Sequence, residues 1–300
     1  DHRKVHSRDP RVCRGELESV TKRFTRTRAL VTACLAVASA MGIGGCGQAE
    51  PEAAQTPTSE APRGIALDYT GFDPENFISD RVLDDSTTMT DAQIAAFIAE
   101  KGEGCQAGRA NDQEIPCLKD FSVVTESYAG DEYCPWGYQG GEEESAAQII
   151  GQAARSCGVN PQVLLVTLQK EQGLIYASGG DFQWFSYPSA MGYACPDNST
   201  CDPDYAGFQR QGYYAARQFA IYRIKPERYR FQAGQRVEAR YAPAQECTTT
   251  QITPANRATA SMYNYTPYVP NRGALKGRGD DCSVYGNANV YAYMRAWFPQ

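Results

Sequence analysis

The chain has 300 residues, 42% hydrophobic and 21% charged, with a formal net charge of −6, 11 cysteines and two histidines. Residues 1–46 carry 9 of the 29 basic and 4 of the 35 acidic side chains, so the remainder holds a net charge of about −11, which argues against nucleic acid as a partner. Both histidines, His2 and His6, lie in that first segment; without it a Ser-His-Asp triad, a Cys-His pair and a His-ligated zinc site are excluded, leaving carboxylates, Tyr, Lys and backbone groups to move protons.

The basic residues of 1–28 are followed by an apolar run, Ala29 to Met41, closed by Ile43-Gly44-Gly45-Cys46. That run is shorter than the roughly 20 residues of a membrane span, so 1–46 reads as a secretion signal with a lipoprotein-like cleavage box and Cys46 as the lipidation site. An ordinary signal peptide cut elsewhere, or an uncut N-terminal anchor, are the alternatives. The expected location is extracytoplasmic, lipid-anchored to the outer face of the cell membrane or secreted, with the lipid as the only link to the membrane. Residues 47–66 are rich in Gln, Ala, Glu, Pro, Thr and Ser and read as a disordered tether, followed by one folded domain over 67–300.

Eight cysteines follow Cys46, an even set that reads as disulfides formed in an oxidising compartment. Nearest-neighbour pairing, one of about 105 connectivities, gives Cys105–Cys117, Cys134–Cys157, Cys195–Cys201 and Cys247–Cys282. No CxxC spacing occurs, and neither a metal nor another cofactor is expected.

Thr90 and Gln93 spell a capping box, with Met89 placed to staple onto Ile94, and open a helix that ends at Gly102. Residues 103–141 read as a long disulfide-pinned loop. A second capping box, Ser145 with Gln148, opens a helix that ends at Gly158. The next helix is written with its punctuation included: Asn160 as cap, Pro161 at the first position, an apolar run, and Gly173 just past the end. Leu164, Leu168 and Glu171 share one face of it, and desolvation together with the negative end of the helix dipole favours a protonated carboxyl there, which is a general acid. A Glu that reaches water or pairs with Lys or Arg is the alternative.

A loop rich in Gly and aromatic residues, 176–193, follows and contains Asp181, Trp184, Phe185 and Tyr187. Asp204 is expected to cap a helix carrying Phe208, Gly212, Ala215, Phe219 and Tyr222. Weak alternation in 231–252 suggests a small hairpin, Thr253-Pro254 a helix start leading into Met262 to Tyr268, and 287–298 a last helix with Val290, Met294 and Trp297 inward. The pattern predicts a mainly α, α+β domain with a small β-hairpin, pinned by disulfides and acting as a monomer.

The Glu171 helix, Ser189-Ala190-Met191-Gly192-Tyr193, and Met262-Tyr263-Asn264-Tyr265-Thr266-Pro267 follow the order of three motifs in soluble lytic transglycosylases and goose-type lysozymes, which the chain resembles. It also resembles secreted actinobacterial proteins labelled hemagglutinin-like, over about 70–299. The first resemblance implies a lysozyme-like fold, a glycan-strand substrate such as peptidoglycan, Glu171 as general acid/base, and Tyr263 and Asn264 as cleft residues; Gln172, Trp184, Ala190, Met191, Gly192, Tyr193 and Tyr265 are further substrate-binding candidates for their place in or beside the motif segments. Three departures stand out: Gln172 replaces a Ser, no Gln follows Gly192, and Thr266 replaces a Gly. Glycosidases usually carry a second carboxylate; Asp181 is the first candidate, then Asp202 and Asp204, whereas lytic transglycosylases need none. A surface-anchored glycan-binding module without turnover, and a purely structural envelope lipoprotein, are the competing readings.

Overall fold

The computed structural model describes residues 64–299 apart from residue 198. The candidate signal, Cys46 and most of the tether lie outside them. Among the described residues, eight α-helices run in the order α1 Asp80–Asp84, α2 Asp91–Lys101, α3 Ala146–Cys157, α4 Pro161–Gln172, α5 Phe208–Ile224, α6 Arg257–Tyr265, α7 Arg272–Leu275 and α8 Gly286–Trp297. Three two-stranded antiparallel sheets complete the described fold: β1 Gly108–Ala110 with β2 Gln113–Ile115, β3 Ser122–Val124 with β4 Glu143–Ser145, and β5 Val237–Arg240 with β6 Thr249–Ile252. The mainly α, disulfide-pinned fold class is therefore present. Among the described residues no helix is long and apolar enough to cross a membrane.

Helix α4 is the hub. Every residue from Val163 to Leu168 is buried, so the helix is apolar around its whole circumference, the pattern of a helix inside a core. It packs against α3, α5 and α8, while α3 lies against both α2 and α5. Burying a leucine such as Leu164, Leu165 or Leu168 contributes about 1.5–3 kcal/mol. Thr167, the polar residue in the run, donates its hydroxyl to Val163 O at 2.8 Å and leaves nothing unpaired.

The ends of α4 are fixed locally. Asn160 Oδ1 accepts from Gln162 N at 2.8 Å, and Asn160 Nδ2 donates to Val82 O at 2.7 Å, so the cap also ties α4 to α1. Gly173 takes φ 67°, the left-handed position after the last turn, and its N–H returns to Gln169 O. Gln169 Oε1 then accepts from Ile175 N at 3.0 Å and Tyr176 N at 3.3 Å, fixing the exit of the chain. Both capping boxes, Thr90 with Gln93 and Ser145 with Gln148, are formed.

Four disulfides join Cys105 to Cys117, Cys134 to Cys157, Cys195 to Cys201, and Cys247 to Cys282. They fit an oxidising compartment. The second joins the end of α3 to the loop before β4, and closing its 23-residue separation contributes about 3 kcal/mol on the chain-entropy account.

The expectations differ from the structure in three places. Residues 103–141 are not all loop: β1 and β2 form a hairpin whose two-residue turn, Asn111-Asp112, takes φ 50° and 62°, the left-handed pair that suits the twist of the strands. Asp204 does not cap α5; Asp202 caps a short 3-10 turn over Pro203–Tyr205, and α5 starts after Gly207 with no side-chain cap. Helix α6 starts not at Thr253-Pro254 but after Asn256, whose side chain accepts from Thr259 N, because Glu75 takes Thr253 N through its carboxylate and Ala255 N through its carbonyl.

Candidate functional site

Glu171 lies in the last turn of α4, where the helix leaves the core, and its side chain is 24% exposed. It is not alone among leucines. The ammonium of Lys170, only 6% exposed, contacts Glu171 Oε1, donates to Thr266 Oγ1 at 2.7 Å and lies 5.6 Å from the centre of the Tyr265 ring. Successive helical residues point about 100° apart, so the contact needs the lysine stem to bend round beside Gly286, where an added Cβ would lie 3.8 Å from Lys170 Cδ. The expectation of an isolated carboxyl is thereby corrected to an ammonium–carboxylate pair.

The turn 189–193 is pressed against this carboxylate. A Cβ on Gly192 would stand 2.9 Å from Glu171 Oε2 and 3.1 Å from Cδ, and its φ is +66°, so both space and backbone call for glycine. Two hydrogen-bonding side chains hold the turn. Gln211, 1% exposed on α5, accepts from Met191 N at 3.1 Å and Tyr193 N at 3.0 Å, and donates to Tyr193 O at 3.0 Å and Tyr205 O at 2.9 Å, which uses its whole amide. The Tyr265 hydroxyl donates to Met191 O at 2.7 Å, and burial together with the nearby Glu171 charge holds that phenol well above its ordinary range.

Lys170, Glu171, Gly192, Cys195, Asp197, Pro243, Tyr265, Thr266, Pro267, Tyr268, Val284 and Gly286 surround a cavity of about 310 Å³, within the size range of small-ligand sites. It adjoins a second space of about 430 Å³ that shares Cys195, Asp197, Tyr265 and Pro267 and reaches Ser199, making one groove along the Cys195–Cys201 loop. A larger cavity of about 540 Å³ lies elsewhere, lined by Phe77, Ile78, Met294, Arg295 and Phe298 among others, and holds no carboxylate.

Of the residues expected at the site, Glu171, Gly192 and Tyr265 meet in this groove. Ala190 and Met191 are buried behind it, and Tyr193 stacks on Tyr214 with centroids 5.8 Å apart. Gln172 is half-buried and does not line the groove. Tyr263 is not a cleft residue: it is fully buried, donates to Pro74 O at 2.9 Å and stacks on Phe231. Asn264 pins Phe231 through its N–H and its carbonyl. Trp184 is 63% exposed, edge-on to Phe185, and lies outside the groove lining. Asp181 Oδ2 accepts from Ser178 N at 3.0 Å, the last residue of a 3-10 turn bonding back to its cap, and no more belongs to the groove than does Asp202, which accepts from Asp204 N.

Four groove or supporting residues were not anticipated: Lys170, Gln211, Asp197 and Tyr268. Gln211 carried a sequence signal, a polar residue beside the small, apolar stripe of α5. Asp197 carried another, a carboxylate inside a six-residue cysteine spacing. Among the described residues no group of three or more His, Cys, Asp or Glu is arranged to hold a metal ion.

Burial pushes the Tyr268 hydroxyl up to about 12, helped by the Asp197 carboxylate and opposed by Arg240, and burial likewise raises Tyr128 to about 12. A raised phenol favours the neutral form in the folded state, so its contribution is full below the ordinary value of 10.0 and is lost as pH climbs towards 12. The expected melting temperature is flat from about pH 7 to 9.5 and falls steeply above about 10, as calorimetry at constant ionic strength would show.

No protein-family model matches the chain, and no curated protein or solved structure matches it.

Proposed function

We propose that the chain is a cell-envelope glycosidase that cleaves peptidoglycan glycan strands, of the lytic transglycosylase or muramidase type, with Glu171 as general acid/base. The observation that carries this reading is the meeting, in one groove, of the end of α4, the 189–193 turn and the Tyr265-Thr266 segment, with Gly192 against the Glu171 carboxylate. Glu171 gives a proton to the leaving glycosidic oxygen and takes one up in the following step, acting as acid and then as base. The lysozyme-like kinship rests on the order of the three segments.

One observation favours a second reading. A Glu paired with a buried Lys, in place of one set among leucines, is the setting expected of a surface-anchored module that binds glycan without turnover. Incubating purified insoluble peptidoglycan with the protein separates the two. Release of soluble fragments supports the enzyme; protein that sediments with the polymer and releases nothing supports the binder.

The proposal extends to residues 1–46 as an export signal and Cys46 as a lipid anchor. Cys46→Ala is expected to move the protein from the membrane fraction to the medium or to leave it unprocessed, as fractionation and intact-mass measurement would show. Unchanged fractionation and mass would sink the anchor.

A further inference from the structure

We propose that Asp197, on the loop closed by the Cys195–Cys201 disulfide and hydrogen-bonded by Tyr268, is the second carboxylate of the groove and activates the water that attacks the glycan, so that cleavage is hydrolytic. The inference rests on the glycosidase reading of Glu171. Asp197 lines both parts of the groove, the one that holds Glu171 and the one that continues past Pro267 to Ser199. Asp181, Asp202 and Asp204 line neither.

The described residues of the loop are tied at its base and within it. The disulfide spans six residues, Asp202 N donates to Ala194 O at 2.9 Å across its base, and Ser199 N donates to Pro196 O at 3.2 Å within it. Asp197 is exposed to water, as a water-activating group must be. The Tyr268 hydroxyl donates to Asp197 Oδ2, and because burial keeps that phenol neutral far above physiological pH it remains a donor throughout the working range. Oδ1 is then the oxygen that accepts the proton of the attacking water.

Tyr268 is positioned from behind. Asn287, 1% exposed at the start of α8, donates from Nδ2 to both Thr266 O at 2.9 Å and Tyr268 O at 3.0 Å. Thr266 anchors Lys170, so one buried amide fixes the chain segment that reaches both carboxylates.

The step balances. Glu171 gives its proton to the bridging oxygen as the C1–O bond breaks, the water oxygen bonds to C1, and the water's proton passes to Asp197. Both carboxyl groups then return to their starting states by exchange with solvent, for a net consumption of one water. Attack by a water activated at the second carboxylate inverts the anomeric centre.

The test uses the full chain, purified peptidoglycan strands and ¹⁸O-labelled water. Wild-type protein is expected to give reducing ends carrying one ¹⁸O. Asp197→Asn, which keeps the Tyr268 hydrogen bond, is expected to lose about 10²–10⁴-fold in kcat with KM nearly unchanged. Asp197→Ala is expected to regain cleavage with azide, yielding a glycosyl azide, a rescue that a merely structural role would not show. Tyr268→Phe, a second variant of milder effect, is expected to lower kcat several-fold with the same products. Wild-type products ending in 1,6-anhydro sugars without ¹⁸O, or Asp197→Asn cleaving at the wild-type rate, would overturn Asp197 and leave Glu171 standing. Wild-type protein that cleaves nothing would overturn both.

Discussion

Replacing Glu171 by Gln is expected to lower the rate of glycan-strand cleavage by about 10²–10⁴-fold while leaving the protein folded with its disulfides intact. The amide keeps the shape and the hydrogen-bonding reach of the carboxyl but cannot give up a proton to the leaving oxygen. Gly192 leaves room for the same heavy-atom outline, so the structural cost falls on the Lys170 ammonium, 6% exposed, which loses its counter-charge. What the substitution breaks is the ion pair, after which the Lys170 ammonium keeps its bond to Thr266 Oγ1 at 2.7 Å and its place near the Tyr265 ring. Parallel measurement of fragment release and thermal unfolding checks both halves. A variant that unfolds would say that Glu171 is structural, and one that cleaves at the wild-type rate would remove it from the chemistry.

Gln211→Ala is expected to destabilise the fold by about 2–4 kcal/mol, because it strips partners from four backbone groups, Met191 N, Tyr193 N, Tyr193 O and Tyr205 O, at a site 1% exposed. In a domain of this size that corresponds to a fall of roughly 5–15 °C in melting temperature. The same change frees the turn that sets Gly192 against Glu171, so cleavage is expected to fall even at temperatures where the variant is folded. Urea unfolding with matched activity assays measures the two effects. Gln211→Glu serves as a control: it keeps both accepted bonds and loses the two donated ones, and an intermediate loss is expected. Equal stability of wild type and Gln211→Ala would show that water or a shifted backbone replaces the amide.

Local signals made the centre of the fold legible. Asn160, Pro161 and Gly173 delimit α4 to the residue because capping and left-handed termination are decided by the nearest neighbours in sequence. The two capping boxes formed for the same reason, and the disulfides join cysteines adjacent in sequence, with separations of 6 to 35 residues. One failure was decided at long range. The start of α6 is displaced because Glu75, far away in the chain, takes the N–H groups of Thr253 and Ala255.

At the site, helical geometry explains which expectations met. Tyr263, Asn264 and Tyr265 are consecutive on α6 and point about 100° apart, so they face different surroundings: Tyr265 lines the groove while Tyr263 enters the core and Asn264 holds Phe231. The same rule hid Lys170, whose helical direction differs from that of Glu171; only the bending of its stem brings the two charges together. Asp181 was favoured for its place in a glycine-rich loop, yet Ser178 draws its carboxylate into a local cap, as short acidic side chains in turns commonly are.

Turnover of glycan in this groove is tested most directly by the length distribution of purified peptidoglycan strands, read by mass spectrometry after incubation with wild-type protein and with Glu171→Gln. Strands shortened by wild type and untouched by the variant are expected. Strands that both proteins bind and neither shortens would contradict turnover.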